Sequence, residues 1–384
     1  MSTIPLSLYI HIPWCIKKCP YCDFNSHALK NPLPEDNYLN ALIEDLILDL
    51  KFVQQRPIKS IFFGGGTPSL ISPQGIEKLL LQISNLVTFA PNIEITLETN
   101  PGTVEHFDLA AYKSAGINRI SLGAQSFDDH KLKLLGRIHS AKETLYAIEK
   151  LHKINFNSFN IDLMHGLPQQ TLEQAITDLS TALACDPPHL SWYQLTIEPN
   201  TIFHKYPPKL PNDDLTWEIQ TQGEHLLAKS GFGHYEVSAF AKPNHHCQHN
   251  TNYWEFGDYI GIGAGAHGKI TNLENFEIKR SCKTRNPSDY LNPAKSFLAS
   301  TTIVRPDELP SEFMLNRLRL FNAINTQQYQ QRTGLPSTGI EAILKKACDQ
   351  ELLQYTDSCY NLTRLGKRFL NNVMQMFLTD EAPI

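Results

Sequence analysis

Cys15, Cys19 and Cys22 fall at i, i+4 and i+7 within Tyr9-Ile10-His11-Ile12-Pro13-Trp14-Cys15-Ile16-Lys17-Lys18-Cys19-Pro20-Tyr21-Cys22, just after the apolar run Leu6–Ile12. Thiolates this close let one loop wrap a single compact ligand, and iron–sulfur clusters are held by such thiolates, normally four. Here the local set is three, because Asp23-Phe24-Asn25 adds no fourth sulfur. A cubane on three thiolates leaves one iron open, where a small molecule could chelate. The competing readings are a zinc knuckle or chance clustering. Structural zinc takes four protein ligands, usually as paired knuckles, and no partner knuckle follows nearby.

Other residues with chemical potential are spread along the chain. Gly64-Gly65-Gly66-Thr67-Pro68 lets a backbone approach a ligand closely, since no Cβ intervenes, although a tight turn alone would explain it. Glu98, Gln125, Arg137 and Asp162 could fix a polar ligand: carboxylates accept from hydroxyls or an ammonium, and arginine clamps a carboxylate bidentately. Taken one at a time, each is equally well a cap or a solvated residue.

The elements that must position them alternate. Strand-like runs cover Leu6–Ile12, Ser60–Phe63, Ile93–Leu97, Arg119–Leu122, Asn157–Met164 and Leu190–Ile197. Between them, helical spacing covers Glu35–Lys51, Ser72–Phe89, Val104–Ala115, Asp128–Leu135, Ser140–Lys153 and Thr171–Ala184. Alternation of this kind implies parallel βαβ units. Six units fit a partial (β/α) barrel or an open sheet, and periodicity does not choose between them. The unusual residues do cluster in one respect: each strand ends on a polar or glycine-rich feature, and barrel enzymes build their sites at those ends.

Prolines at 199, 207, 208, 211 and 243 make the stretch from 199 to 285 read as irregular. From Arg305 onward the expectation is helices over Glu312–Phe321, Thr326–Arg332 (N-capped by Asn325) and Gly339–Gln350. A strand–turn–strand over Leu352–Tyr355 and Cys359–Leu362 and a final helix, Thr363–Leu378, complete a winged-helix-like order. The expected division is 1–240 as barrel, 241–300 as a segment packed on it, and 301–384 as a small helical domain.

Composition limits the function classes. The chain has 384 residues, a net charge of −5 and 41% hydrophobic residues, so it lacks the basic footprint of a nucleic-acid binder. It has no apolar run long enough for a membrane span, and its N-terminus lacks the basic region and apolar core of a signal peptide. A cytoplasmic location is expected. Eight cysteines, three of them clustered, argue for a metal site over a disulfide framework.

Tyr9–Cys22 together with Gly64–Ser69, Glu98-Thr99-Asn100-Pro101, Gln125-Ser126-Phe127, Leu135-Gly136-Arg137-Ile138-His139 and Asp162-Leu163-Met164-His165-Gly166-Leu167-Pro168 resembles the coproporphyrinogen III oxidase-type radical S-adenosylmethionine (SAM) family. Gly231–Gly268, with His249-Asn250-Thr251-Asn252-Tyr253-Trp254, resembles its haem-chaperone branch. The resemblance spans nearly the whole chain. It implies an α/β fold: a partial (β/α)6 TIM-type barrel with a small C-terminal helical domain. It also implies a [4Fe–4S] cluster on Cys15, Cys19 and Cys22 with SAM on the open iron. The SAM contacts would be Tyr9, Tyr21, Gly65, Gly66, Thr67, Glu98, Gln125, Arg137 and Asp162.

The true oxygen-independent oxidase carries a further cysteine two residues after the third, where this chain has Phe24, and a longer N-terminal segment. Both departures argue against porphyrinogen decarboxylation. Haem iron is commonly held by histidine, and His249 is the expected ligand, with Asn250 orienting it and Tyr253 and Trp254 offering flat faces. A packed loop, or zinc on Cys247 and neighbouring histidines, would also account for this cluster. The resemblance implies haem, acceptor haem proteins, an electron donor and a second copy of the chain as partners, and no nucleic acid. The rival function is anaerobic decarboxylation of coproporphyrinogen III.

Overall fold

A computed structural model describes residues 4–103, 108–156 and 158–378. Six parallel strands follow one another in space as in sequence: β1 (Leu6–Ile12), β2 (Ile58–Gly65), β3 (Phe89–Thr99), β4 (Arg119–Gln125), β5 (Phe159–His165) and β6 (His189–Gln194). A doubly wound sheet reverses its order in the middle. This one never does, so the six units form a partial barrel, and the ambiguity left by periodicity is resolved.

Strand alternation explains the layers. On β1, Leu6, Leu8, Ile10 and Ile12 are fully buried in one large apolar core that also holds Leu39, Leu42, Ile76, Leu79, Ile148 and Leu179 of the helices outside. The opposite residues, Ser7, Tyr9 and His11, point the other way: Ser7 bonds Ser60 on β2, and Tyr9 bonds His11 along the same strand. Helix starts are set locally. The Ser72 side chain accepts from Gly75 N, and Ser140 with Glu143 and Thr171 with Gln174 form capping boxes.

Both edges of the barrel are extended. On the β6 side lie β8 (Ala239–Ala241) and then β7 (Gly233–Glu236), both antiparallel. On the other side β9 (Asp258–Ile262) pairs parallel with β1, followed by β10 (His267–Thr271), β11 (Ile278–Lys283) and β12 (Leu298–Ile303). Segment 241–300, expected on top of the barrel, therefore supplies strands to the same sheet. Asp258 fastens it, pairing with Arg56 at 2.7 Å and Lys269 at 2.8 Å in a buried setting.

Several elements depart from expectation. The stretch 199–285 contains a long helix, Asp213–Lys229, started by Asn212, whose side chain accepts from Leu215 N. The helix expected to reach Phe89 stops at Leu86, and Phe89 opens β3. The expected helix over 104–115 is seen as Leu109–Ser114, and 104–107 lie outside the described residues. Asn157, expected to begin β5, lies outside them as well.

The C-terminal part follows the winged-helix-like order: helices Leu309–Arg317, Thr326–Thr333 and Thr338–Asp349, then the hairpin Leu353–Thr356/Cys359–Leu362. Asn325 caps the second helix, accepting from Gln327 N. The final helix is two pieces, Arg364–Arg368 and Leu370–Gln375, because Phe369 leaves helical geometry at ψ 39°. This part has its own core around Phe313, Tyr329, Ile340 and Leu344. Arg319 ties it to β7 through Glu236 at 2.6 Å. Among the described residues no helix is long and apolar enough to cross a membrane.

Candidate functional site

The cysteine loop sits where β1 and β2 end, and the glycine run fixes it there. Gly66 N donates to the Ile12 carbonyl and Thr67 N to the Trp14 carbonyl, both at 2.7 Å. A Cβ on Gly66 would overlap the Trp14 carbonyl, and one on Gly65, at φ +115°, would come within 2.7 Å of the His11 ring. Only glycine fits both positions.

Cys15 is buried, and Cys19 and Cys22 are half-buried. Burial first, then the neighbouring Cys22 and Cys19, pushes the Cys15 thiol up to about 11, so its thiolate needs a cation beside it. Cys22 Sγ lies 3.6 Å from Ser26 Oγ. Among the described residues no three His, Cys, Asp or Glu side chains converge as a single ion requires. Three thiols from one loop suit a compact iron–sulfur core.

Beside Cys19 lies a cleft lined by Lys17, Thr67, Asn100, Gly136, Arg137 and His139. Arg137 Nη1 donates toward Cys19 Sγ at 3.7 Å, while Nη2 is held by the Gly123 carbonyl at 2.8 Å and by the Asn100 side chain. Asn100 Nδ2 in turn donates to Thr67 Oγ1 at 3.0 Å. Asn100 was visible at the end of β3 but was not selected as a site residue. Its coupling of Thr67 to Arg137 is a tertiary fact.

The carboxylates lie on β3 and β5 and act on one another. Glu98 accepts from Gly65 N at 3.3 Å, and burial, followed by the Asp162 charge, pushes it up to about 8. Asp162 accepts from Ser121 Oγ at 3.0 Å and Asn160 Nδ2 at 2.7 Å, and burial raises it despite those bonds. Gln125 closes β4 in the left-handed region, φ 68°, with Oε1 accepting from Tyr193 OH at 2.8 Å; such strain concentrates at ligand sites. Tyr9 OH bonds His11 Nδ1 at 3.0 Å. Tyr21 packs near Phe203, ring centroids 6.4 Å apart. Sequence reasoning missed Tyr193, Ser121 and Asn160, whose only local signal is their inward register on β6, β4 and β5.

His249, Asn250, Tyr253 and Trp254 lie on the helix Gln248–Trp254, which packs against β1, β2 and β9, with the His249 ring 6.4 Å from the Tyr9 ring and 5.1 Å from the Phe62 ring. Glu94 accepts from Gln248 N at 3.1 Å and His249 N at 3.0 Å. His249 is 1% exposed, with Nδ1 bonded to Ser60 Oγ at 2.9 Å and Nε2 to Tyr253 OH at 2.8 Å. Burial lowers its pKa to about 3. Trp254 lies under the Arg319 guanidinium at 4.4 Å. The expected iron ligand has both ring nitrogens hydrogen-bonded in this structure.

A partial (β/α)6 barrel whose strand tips carry three thiols of one loop defines a radical SAM-type protein. Residues 9–179 match the Radical SAM superfamily and residues 304–369 the HemN C-terminal domain. The fold is that of the Escherichia coli coproporphyrinogen III oxidase HemN, a radical SAM enzyme, with a TM-score of 0.82 over 97% of this chain and 90% of that one, at 22% identity. Within this class the chain belongs to the HemW family. It is 50% identical over 381 residues to Heme chaperone HemW of Haemophilus influenzae, covering 98% of this chain and 99% of that protein. It is 49% identical to the Escherichia coli HemW over 98% and 99%, and 33% to that of Bacillus subtilis over 97% and 99%.

Proposed function

We propose that this chain is a haem chaperone, binding haem and passing it to acceptor haem proteins. What carries the reading is that its end-to-end relatives are haem chaperones, whereas its likeness to the oxidase is one of fold. Phe24, in place of a further cysteine, agrees.

In this reading Cys15, Cys19 and Cys22 hold a [4Fe–4S] cluster, and SAM lies among Tyr9, Tyr21, Gly65, Gly66, Thr67, Glu98, Gln125, Arg137 and Asp162. When bound, the pair supplies one-electron chemistry at SAM, fed by an external electron donor. The chain's own groups position and enclose. Arg137 anchors the cleft beside Cys19, Glu98 and Asp162 offer acceptors, and the glycine run holds the cysteine loop in place. Work in the cytoplasm and self-association as a dimer belong to the same proposal. In the same proposal His249, with Asn250, Tyr253 and Trp254 beside it, takes haem after giving up one of its two ring hydrogen bonds.

The test is anaerobic. Reconstituted protein should develop a Soret band with haem and restore a haem-free acceptor. Conversion of coproporphyrinogen III to the vinyl product at useful turnover, without haem uptake, would overturn the proposal in favour of the oxidase.

A further inference from the structure

We propose that His189, acting through Asn160, is a positioning residue for SAM: it holds the Asp162 carboxylate oriented and ionised as an acceptor. This rests on the reading that places SAM against Asp162. Three neighbouring strands bring the groups side by side. Ser121 on β4, Asn160 on β5 and His189 on β6 are register partners, and two residues further along, on the same face, Asp162 pairs with Ser191. Ser121, Asn160 and His189 are buried, whereas Asp162 is half-buried. Asn160 Oδ1 lies 2.6 Å from His189 Nδ1 and 3.1 Å from Ser191 Oγ. Its Nδ2 lies 2.8 Å from Ser121 Oγ and 2.7 Å from Asp162 Oδ1.

The direction of this chain is set at its far end. Cys247 N, which can only donate, lies 3.2 Å from Tyr235 OH, so the tyrosine accepts there and gives its own hydrogen to His189 Nε2 at 2.8 Å. Burial, and then the Arg119 charge, hold His189 neutral. With Nε2 accepting, its one hydrogen sits on Nδ1 and goes to Asn160 Oδ1. That choice fixes the amide: Oδ1 takes His189 and Ser191, and Nδ2 is left to donate to Ser121 and Asp162. Ser121, already accepting from Asn160, gives its hydrogen to the other Asp162 oxygen at 3.0 Å. Every donor from Cys247 N onward therefore points toward Asp162, and each carboxylate oxygen receives one. Donors to the charged form oppose the burial that raises Asp162. Glu98, pushed up to about 8 by burial and by that charge, takes the proton instead. The remaining lone pairs of Asp162 are left for a ligand hydroxyl or ammonium.

Equilibrium binding of SAM to the anaerobically reconstituted full-length protein tests this, with iron content and melting temperature measured alongside. Asparagine carries its amide nitrogen where His189 has Nδ1, and glutamine carries it where His189 has Nε2. His189→Asn should therefore bind SAM within about threefold of wild type, while His189→Gln loses roughly tenfold or more. A merely structural role predicts the reverse order, because the shorter side chain leaves the larger hole. Equal affinities in the two variants, or a greater loss in His189→Asn, overturn the inference. If either variant fails to take up its cluster, Asn160→Asp decides. It keeps the shape but turns an oxygen toward Asp162 in place of Nδ2, so SAM affinity should fall roughly tenfold or more, and wild-type affinity overturns the assignment. Wild-type protein that binds no SAM overturns the SAM reading itself, and this inference with it.

Discussion

Arg137 and Cys19, 118 residues apart in sequence, meet at 3.7 Å, the guanidinium held in place by the Gly123 carbonyl and Asn100. Arginine can hold three partners because its fork is planar; lysine is a point charge. Arg137→Lys should therefore keep the iron–sulfur absorbance while SAM affinity falls roughly 10- to 100-fold. Equilibrium binding to reconstituted protein measures this. Unchanged affinity would remove Arg137 from the SAM site.

The glycine run makes a steric prediction. Gly66→Ala places a methyl into the Trp14 carbonyl, whereas Gly233→Ala meets nothing nearer than the Ala241 carbonyl at 3.6 Å. Iron content after anaerobic reconstitution should collapse in the first variant and stay at the wild-type level in the second. Equal iron in both would mean the loop does not depend on this docking.

Glu98 gives a pH dependence with a definite sign. Its folded pKa is about 8 against an ordinary 4.5, raised mainly by burial. The folded state thus binds the proton more tightly than the unfolded one, and stability falls as pH rises from about 4.5 to about 8. Glu98→Gln should remove that slope and raise the melting temperature of the cofactor-free protein at pH 8.5. Identical wild-type and variant profiles from pH 5 to 8.5 would contradict it.

How far the sequence reached can be seen residue by residue. The cysteine spacing and the residues ending each strand are local patterns, and the six strands with their tips were legible from them. The Asp213–Lys229 helix was hidden behind prolines 207, 208 and 211, although Asn212 marks its start. β9 to β12 were missed because they depend on distant partners; Asn25, for instance, donates to the Ala264 carbonyl at 2.9 Å across 239 residues. Depth was illegible as well. The His249 motif announces its residue types but not that Ser60 and Tyr253 already occupy the ring.

His249 should matter for stability as well as for haem. His249→Ala leaves Ser60 and Tyr253 short of a partner and opens a hole, costing about 2–4 kcal/mol. Denaturant unfolding should show that loss, and hemin titration should show an altered Soret band. An unaltered band in the variant would remove His249 as the ligand.

The central claim is the three-thiolate corner, and iron and sulfide analysis of anaerobically reconstituted protein tests it most directly. About four iron and four sulfide per chain are expected, with the brown absorbance abolished by Cys19→Ala. Zinc, or no metal, in the wild-type protein, or a full cluster in the variant, would contradict the account.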